Sequence, residues 1–184
     1  TIDTDLAVIS PVFSDYHLIH AMQETTMCTH HTAMKIASVL SPQRTQCRLQ
    51  ASSKKRAIEL AAAFIAETND RINEQELYRL LIAREKVSPT GLGEGIAIPH
   101  CRMANCTGIM GTLITLEQPV EFESMDDQPV STLFILIVPE KEMDAHLEVL
   151  AMLVAKFQQS EFREKLLAAR DANELYLAAV TDST

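Results

Sequence analysis

The chain has 184 residues, 47% of them apolar and 22% charged, with a formal net charge of −9. That length buries a core without disulfide or metal staples, and that charge argues against a nucleic-acid binder, whose affinity comes from cations set against phosphates. No run approaches the roughly 18 uncharged apolar residues of a membrane helix, which argues against membrane insertion.

The first 33 residues differ from the rest of the chain. They hold Asp3, Asp5, Asp15 and Glu24, no Lys or Arg, and four of the six histidines: His17, His20, His30 and His31. The sequence therefore reads as an extension at 1–33, either disordered or an upstream translation artefact, and one domain at 34–184. With no basic residue before Lys35, the start lacks the basic n-region of a secretory signal. Cys28, Cys47, Cys101 and Cys106 form no regular framework and no CxxC, so they read as cytosolic thiols, and no structural metal site is expected.

Past Ser52-Ser53, a helix is predicted over 54–67, with Ala57, Ile58, Ala61, Phe64 and Ile65 on one stripe. Asn73 and Glu76 form a capping-box-like start to a second helix, which carries Leu77, Leu80, Leu81 and, near its end, Arg84. A short strand is predicted at Ile96-Ala97-Ile98, ending at Pro99. A β-rich run extends from Ile109 to Leu116, closed by Glu117-Gln118-Pro119. Val120–Glu123 alternates apolar and charged like a half-exposed strand, and Thr132–Val138 reads as a strand buried on both faces. Asp144 is placed to cap a helix bearing Leu147, Leu150, Ala151 and Val154. Ser160 and Asp171 open two more, the last with Glu174 as capping-box partner. Strands and helices alternate, so the class is α/β with a mixed central sheet.

Chemistry concentrates between the second helix and the first of these strands. Three of the five glycines, Gly91, Gly93 and Gly95, fall in GLGEG. The spacing is neither a dinucleotide fingerprint nor a P-loop. It fits either an anion-binding nest or a tight turn feeding a strand. His100 comes directly after Pro99, whose fixed φ makes a rigid mount. His146 falls in the first turn of a helix. These are the only histidines after residue 33. Cys101, beside His100, invites a nucleophile or redox reading, although a Cys in an apolar setting is commonly an inert small hydrophobe. Arg84 has a plain structural reading too, pairing with Glu85 or the helix end. Lys54-Lys55-Arg56 reads as the solvated start of its helix.

The run from Arg84 to His100, REKVSPTGLGEGIAIPH, resembles the signature of the type-2 (fructose–mannitol) EIIA domains of the bacterial phosphotransferase system. Leu40-Ser41-Pro42, the stretch from Ser52 to Ala57, Gln118-Pro119-Val120, Gln128-Pro129-Val130, Leu136–Pro139, His146-Leu147 and Glu174-Leu175-Tyr176 are similar to the nitrogen-regulatory branch (PtsN or EIIA-Ntr). Pro89 and Glu94 depart from the pattern within the loop. The resemblance spans Met34 to the C-terminus. It implies a three-layer sandwich with a central mixed β-sheet flanked by helices. It also implies a cytoplasmic phosphocarrier with a mainly regulatory role. In that family the His of Ile-Pro-His accepts a phosphoryl group, a role that maps to His100. Arg84 and His146 map to the positions that stabilise the phosphoryl group, while Gly91, Gly93, Gly95 and Pro99 map to the loop that shapes the site. Transfer between histidines of two proteins needs no metal or other cofactor. The implied donor is an HPr-like phosphocarrier (NPr). The implied targets are regulatory, in nitrogen metabolism and in potassium transport or sensing. Two alternatives stay open: a sugar-specific EIIA that passes phosphate to a cognate EIIB, and a binding module never phosphorylated at His100.

Overall fold

A computed structural model of the protein describes residues 34–140 and 144–181. The expectations for 1–33, including those for His17, His20, Cys28, His30 and His31, lie outside the described residues. Two 3-10 turns, Ile36–Ser38 and Pro42–Arg44, lead into β1 (Thr45–Leu49). Helices α1 (Lys54–Glu67) and α2 (Glu74–Val87) come next, then β2 (Gly91–Gly93), β3 (Ile96–Ala97), β4 (His100–Met103), β5 (Met110–Val120) and β6 (Val130–Pro139). Helices α3 (Asp144–Phe157), α4 (Ser160–Ala168) and α5 (Ala172–Val180) close the fold.

Local signals explain most helix starts. The Ser53 side chain accepts from the Arg56 amide, and Asn73 accepts from that of Glu76 at 2.9 Å. Asp171 does the same for Glu174 at 2.9 Å. Glu174 does not close the expected reciprocal box on Asp171; its carboxylate accepts instead from the Arg170 amide and guanidinium. Ser160 is the first residue of α4 rather than its cap, which is Gln159 with no capping side-chain bond.

The sheet is mixed, in the order β1-β5-β6-β3-β2, with β4 also paired to β6. β1 runs parallel to β5, β5 antiparallel to β6, and β6 parallel to both β3 and β4. Strand β6 is the spine, and its alternation builds two cores. Leu133, Ile135 and Ile137 meet α1 and α2 through Ile58, Ala61, Leu77 and Leu81. Phe134, Leu136 and Val138 meet the other helical layer through Val149, Leu150, Leu153 and Phe157. A strand apolar on both faces requires a helical layer on each side, and the three-layer sandwich is the result.

Three strand predictions are corrected. β1 was not foreseen. The strand predicted at 109–116 runs on through Pro119 to Val120 as β5, by way of a register shift between Thr115 and Val120, and takes in only the first residue of the strand predicted at 120–123. Past Val120 the burial still alternates, with Phe122 buried between exposed Glu121 and Glu123, but the pairing has ended and Glu123 lies at φ 54°. Third, His100 does not trail a strand but opens one. β3 and β4 lie on the same edge of β6 in one unbroken register, Ala97 opposite Leu133 and His100 opposite Leu136. They are a single line of chain interrupted at Ile98-Pro99.

Candidate functional site

The interruption places the histidine. Pro99 has no N–H to give a ladder, and its carbonyl accepts from the Leu136 amide at 2.9 Å. The Ile98 amide turns the other way, donating to the Thr90 carbonyl at 3.0 Å. The Ile98 carbonyl meets His100 Nδ1 at 2.9 Å. β4 has one strand neighbour, β6, so His100 stands at a sheet edge that both helical layers can reach.

Each layer supplies one partner. From the last turn of α2, Arg84 Nε donates to His100 Nε2 at 3.2 Å, and its Nη1 donates to the Ser88 carbonyl at 3.0 Å. The first turn of α3 supplies His146, whose ring centroid is 5.5 Å from that of His100 at an interplanar angle of 54°. His100 is 8% exposed and His146 2%. The structure thus brings Arg84, Pro99, His100 and His146 together.

These contacts select a tautomer. A carbonyl oxygen only accepts, so His100 Nδ1 carries the proton. A guanidinium only donates, so Nε2 presents a lone pair. With one ring nitrogen donating and the other accepting, the two bonds describe a neutral ring whose Nε2 lone pair meets the Arg84 guanidinium.

The glycines are dispersed relative to this point. β2 and β3 form an antiparallel hairpin, so GLGEG is a strand and a tight turn. Gly93 and Gly95, at φ 92° and 76°, shape that turn. Four residues lie between Gly95 and His100, five steps of chain or roughly 16 Å at strand rise. Gly91 answers a close approach, since a Cβ there would stand 2.5 Å from Ser124 Oγ and 2.9 Å from its Cα. One amide of this turn is already taken by an anion of the same chain: that of Glu94 donates at 2.7 Å to Asp126 Oδ2.

Cys101 points away from His100 into the core beneath α1 and α2. Burial, with smaller contributions from Cys106 and Glu76, pushes its thiol up to about 12, which opposes a nucleophilic or redox role. None of Cys47, Cys101 and Cys106 is in a disulfide. Among the described residues no helix is long and apolar enough to cross a membrane.

Sequence reasoning missed Glu85 and Thr90. Glu85 is 5% exposed and accepts from Thr90 Oγ1 at 2.5 Å and from the Thr90 amide at 3.2 and 3.3 Å. Lys54 Nζ completes the cluster, 3.4 Å from Glu85 and 3.4 Å from Glu123. A signal was present, because Leu77, Leu81 and Glu85 share the buried face of α2 at four-residue spacing. A carboxylate on an apolar stripe needs a partner.

Comparison with known proteins shows the family. Residues 38–178 match the family model described as phosphoenolpyruvate-dependent sugar phosphotransferase system, EIIA 2. The chain belongs to this family. A nitrogen regulatory protein of Pseudomonas aeruginosa is 36% identical over 147 residues, covering 80% of this chain and 96% of that protein. The crystal structure of nitrogen regulatory protein IIA-Ntr from Neisseria meningitidis superposes with a TM-score of 0.70 at 37% identity, over 79% of this chain and 99% of that one. IIA mannitol from Escherichia coli shares the fold at a TM-score of 0.60 and 19% identity, over 72% of this chain and 93% of that one. Within the type-2 EIIA family, the chain falls in the nitrogen-regulatory branch.

Proposed function

We propose that this EIIA protein is a phosphocarrier that accepts a phosphoryl group on Nε2 of His100 from an HPr-like donor (NPr), and that its phosphorylation state sets which regulatory targets it binds. The observation that carries this reading is the pair of hydrogen bonds that holds His100 with Nδ1 protonated and Nε2 presenting its lone pair. In the transfer, that lone pair attacks phosphorus while the donor's phosphorus–nitrogen bond breaks and its electron pair returns to the donor imidazole. The His100 ring gains positive charge as the new bond forms. The Ile98 carbonyl, already accepting from Nδ1, stabilises that charge.

Phosphoryl transfer runs through a loose transition state, so positioning and charge do most of the catalysis. Arg84 releases Nε2 and turns its planar fork to the phosphoryl oxygens, a geometry that Lys does not offer. His146, across the site, donates a hydrogen bond to the same group. The product carries a phosphoryl group with two negatively charged oxygens beside an imidazolium ring, a net gain of one negative charge on a surface formerly held by a neutral ring, and such a change switches partner choice. Nitrogen metabolism and potassium transport or sensing are the target classes implied by the nitrogen-regulatory branch, and the cytoplasm is the compartment that suits its thiols. The test is labelling from phosphoenolpyruvate through purified donor proteins. Wild type takes up label and His100→Ala does not; equal labelling of the two, or none in wild type, overturns the reading. Onward transfer to a sugar EIIB would move the protein to the sugar-transport branch.

A further inference from the structure

We infer that Glu85 is a positioning residue for His100, acting through Thr90 and Ile98 to hold the Ile98 carbonyl where it fixes the imidazole tautomer. The inference builds on the reading of His100 as the phosphoryl acceptor.

The path consists of consecutive hydrogen bonds. Lys54 Nζ lies 3.4 Å from Glu85 Oε1. The Glu85 carboxylate receives both the Thr90 hydroxyl and the Thr90 amide. The Thr90 carbonyl receives the Ile98 amide at 3.0 Å, and the Ile98 carbonyl receives His100 Nδ1 at 2.9 Å. Arg84 and Glu85 are neighbours on the last turn of α2, yet they act on the same imidazole from opposite ends. Arg84 contacts Nε2 directly, whereas Glu85 reaches Nδ1 through the backbone of the hairpin.

The arrangement costs free energy that bulk packing alone would avoid. Replacing a buried ion pair by apolar side chains of similar volume is often neutral or stabilising. At the end of the Leu77–Leu81 stripe a third apolar residue would serve the core. A carboxylate there does what an apolar residue does not: its two oxygens clamp both polar hydrogens of Thr90. They thereby fix the crossing from α2 over Ser88-Pro89 into the hairpin. A shift of the Ile98 carbonyl by an ångström would weaken the preference for the Nδ1–H form. It would let the proton move to Nε2, where it blocks the nucleophile.

The test reads the tautomer and the transfer separately. ¹⁵N NMR of the unphosphorylated protein distinguishes protonated from lone-pair nitrogens of His100, with labelling from phosphoenolpyruvate run in parallel. Glu85→Ala is expected to show a mixture of tautomers and a labelling rate lower by about 10- to 100-fold, the cost of sub-ångström misplacement. Thr90→Val, which deletes only the hydroxyl, moves both readouts in the same direction, and Thr90→Ser restores both. If Glu85→Ala does not fold, the Val/Ser pair at position 90 decides. A residue that is merely structural would change stability and leave the His100 nitrogen shifts of folded variants at their wild-type values; that result overturns the inference. If the tautomer responds while wild type takes no label, the positioning role stands and the phosphocarrier reading falls.

Discussion

Arg84→Lys tests how much of the site's work rests on guanidinium geometry. In the resting protein Arg84 bonds His100 Nε2 and the Ser88 carbonyl from different nitrogens of one plane, at 3.2 and 3.0 Å. Lys keeps the charge but loses the fork, so one charge-assisted hydrogen bond to the phosphoryl group goes unmade at the transition state. Such a bond contributes about 1.5–3 kcal/mol, which converts to a rate loss of about 10- to 150-fold. The fold is left alone, because Arg84 is half-buried at a helix end and outside both cores. The assay is the initial rate of label uptake at limiting donor, together with a urea midpoint for each protein. A loss under about threefold in rate, corresponding to well under 1 kcal/mol, would refute the fork argument. So would a rate loss matched by a collapse in stability.

Three further outcomes are expected from the same structure. Gly111→Ala would place a Cβ 2.6 Å from Phe134 Cζ and 2.7 Å from Cε1, so overpacking should cost about 1–3 kcal/mol in urea unfolding; an unchanged midpoint would show that the Phe134 ring yields freely. Cys101, its thiol pushed up to about 12 by burial, should resist a thiol reagent near neutral pH until the protein is unfolded, and prompt reaction of the native state would contradict its placement. The Asp126 carboxylate is held below its ordinary range, chiefly by the amides of Glu94 and then Gln128. A depressed folded-state pKa means its contribution is present above about pH 4, the ordinary aspartate value, and is lost as pH falls through the folded value. Asp126→Asn should therefore flatten the acid limb of stability against pH, and an unaltered limb would remove Asp126 from the account.

Sequence patterns succeeded where one local force dominates. The Ser53, Asn73 and Asp171 caps and the nearly all-apolar run of β6 are such cases, and their elements stand where patterning put them. β1 was illegible because Thr45–Leu49 mixes Gln and Arg into five residues and becomes a strand by pairing with β5, more than sixty positions away. Gly91–Gly93 was illegible as a strand because glycine has low strand preference; the hairpin forms where a side chain would collide with Ser124. At the site, His100 was visible from its motif and Arg84 and His146 from the family likeness. The Arg84–His100 hydrogen bond and the His100–His146 ring contact were not, since each crosses from a helix end to an edge strand. Glu85 was overlooked because a lone carboxylate is usually solvated. Its neighbours on the buried face of α2 carried the contrary message.

The central claim is that the neutral, Nδ1-protonated His100 takes the phosphoryl group on Nε2. Its most direct test is heteronuclear NMR of the ¹⁵N-labelled protein after phosphorylation from phosphoenolpyruvate through the donor proteins, reading which nitrogen couples to phosphorus. Coupling to Nε2 of His100 is expected, with Nδ1 still protonated and bonded to the Ile98 carbonyl. Coupling to Nδ1, or to a nitrogen of His146, would contradict it.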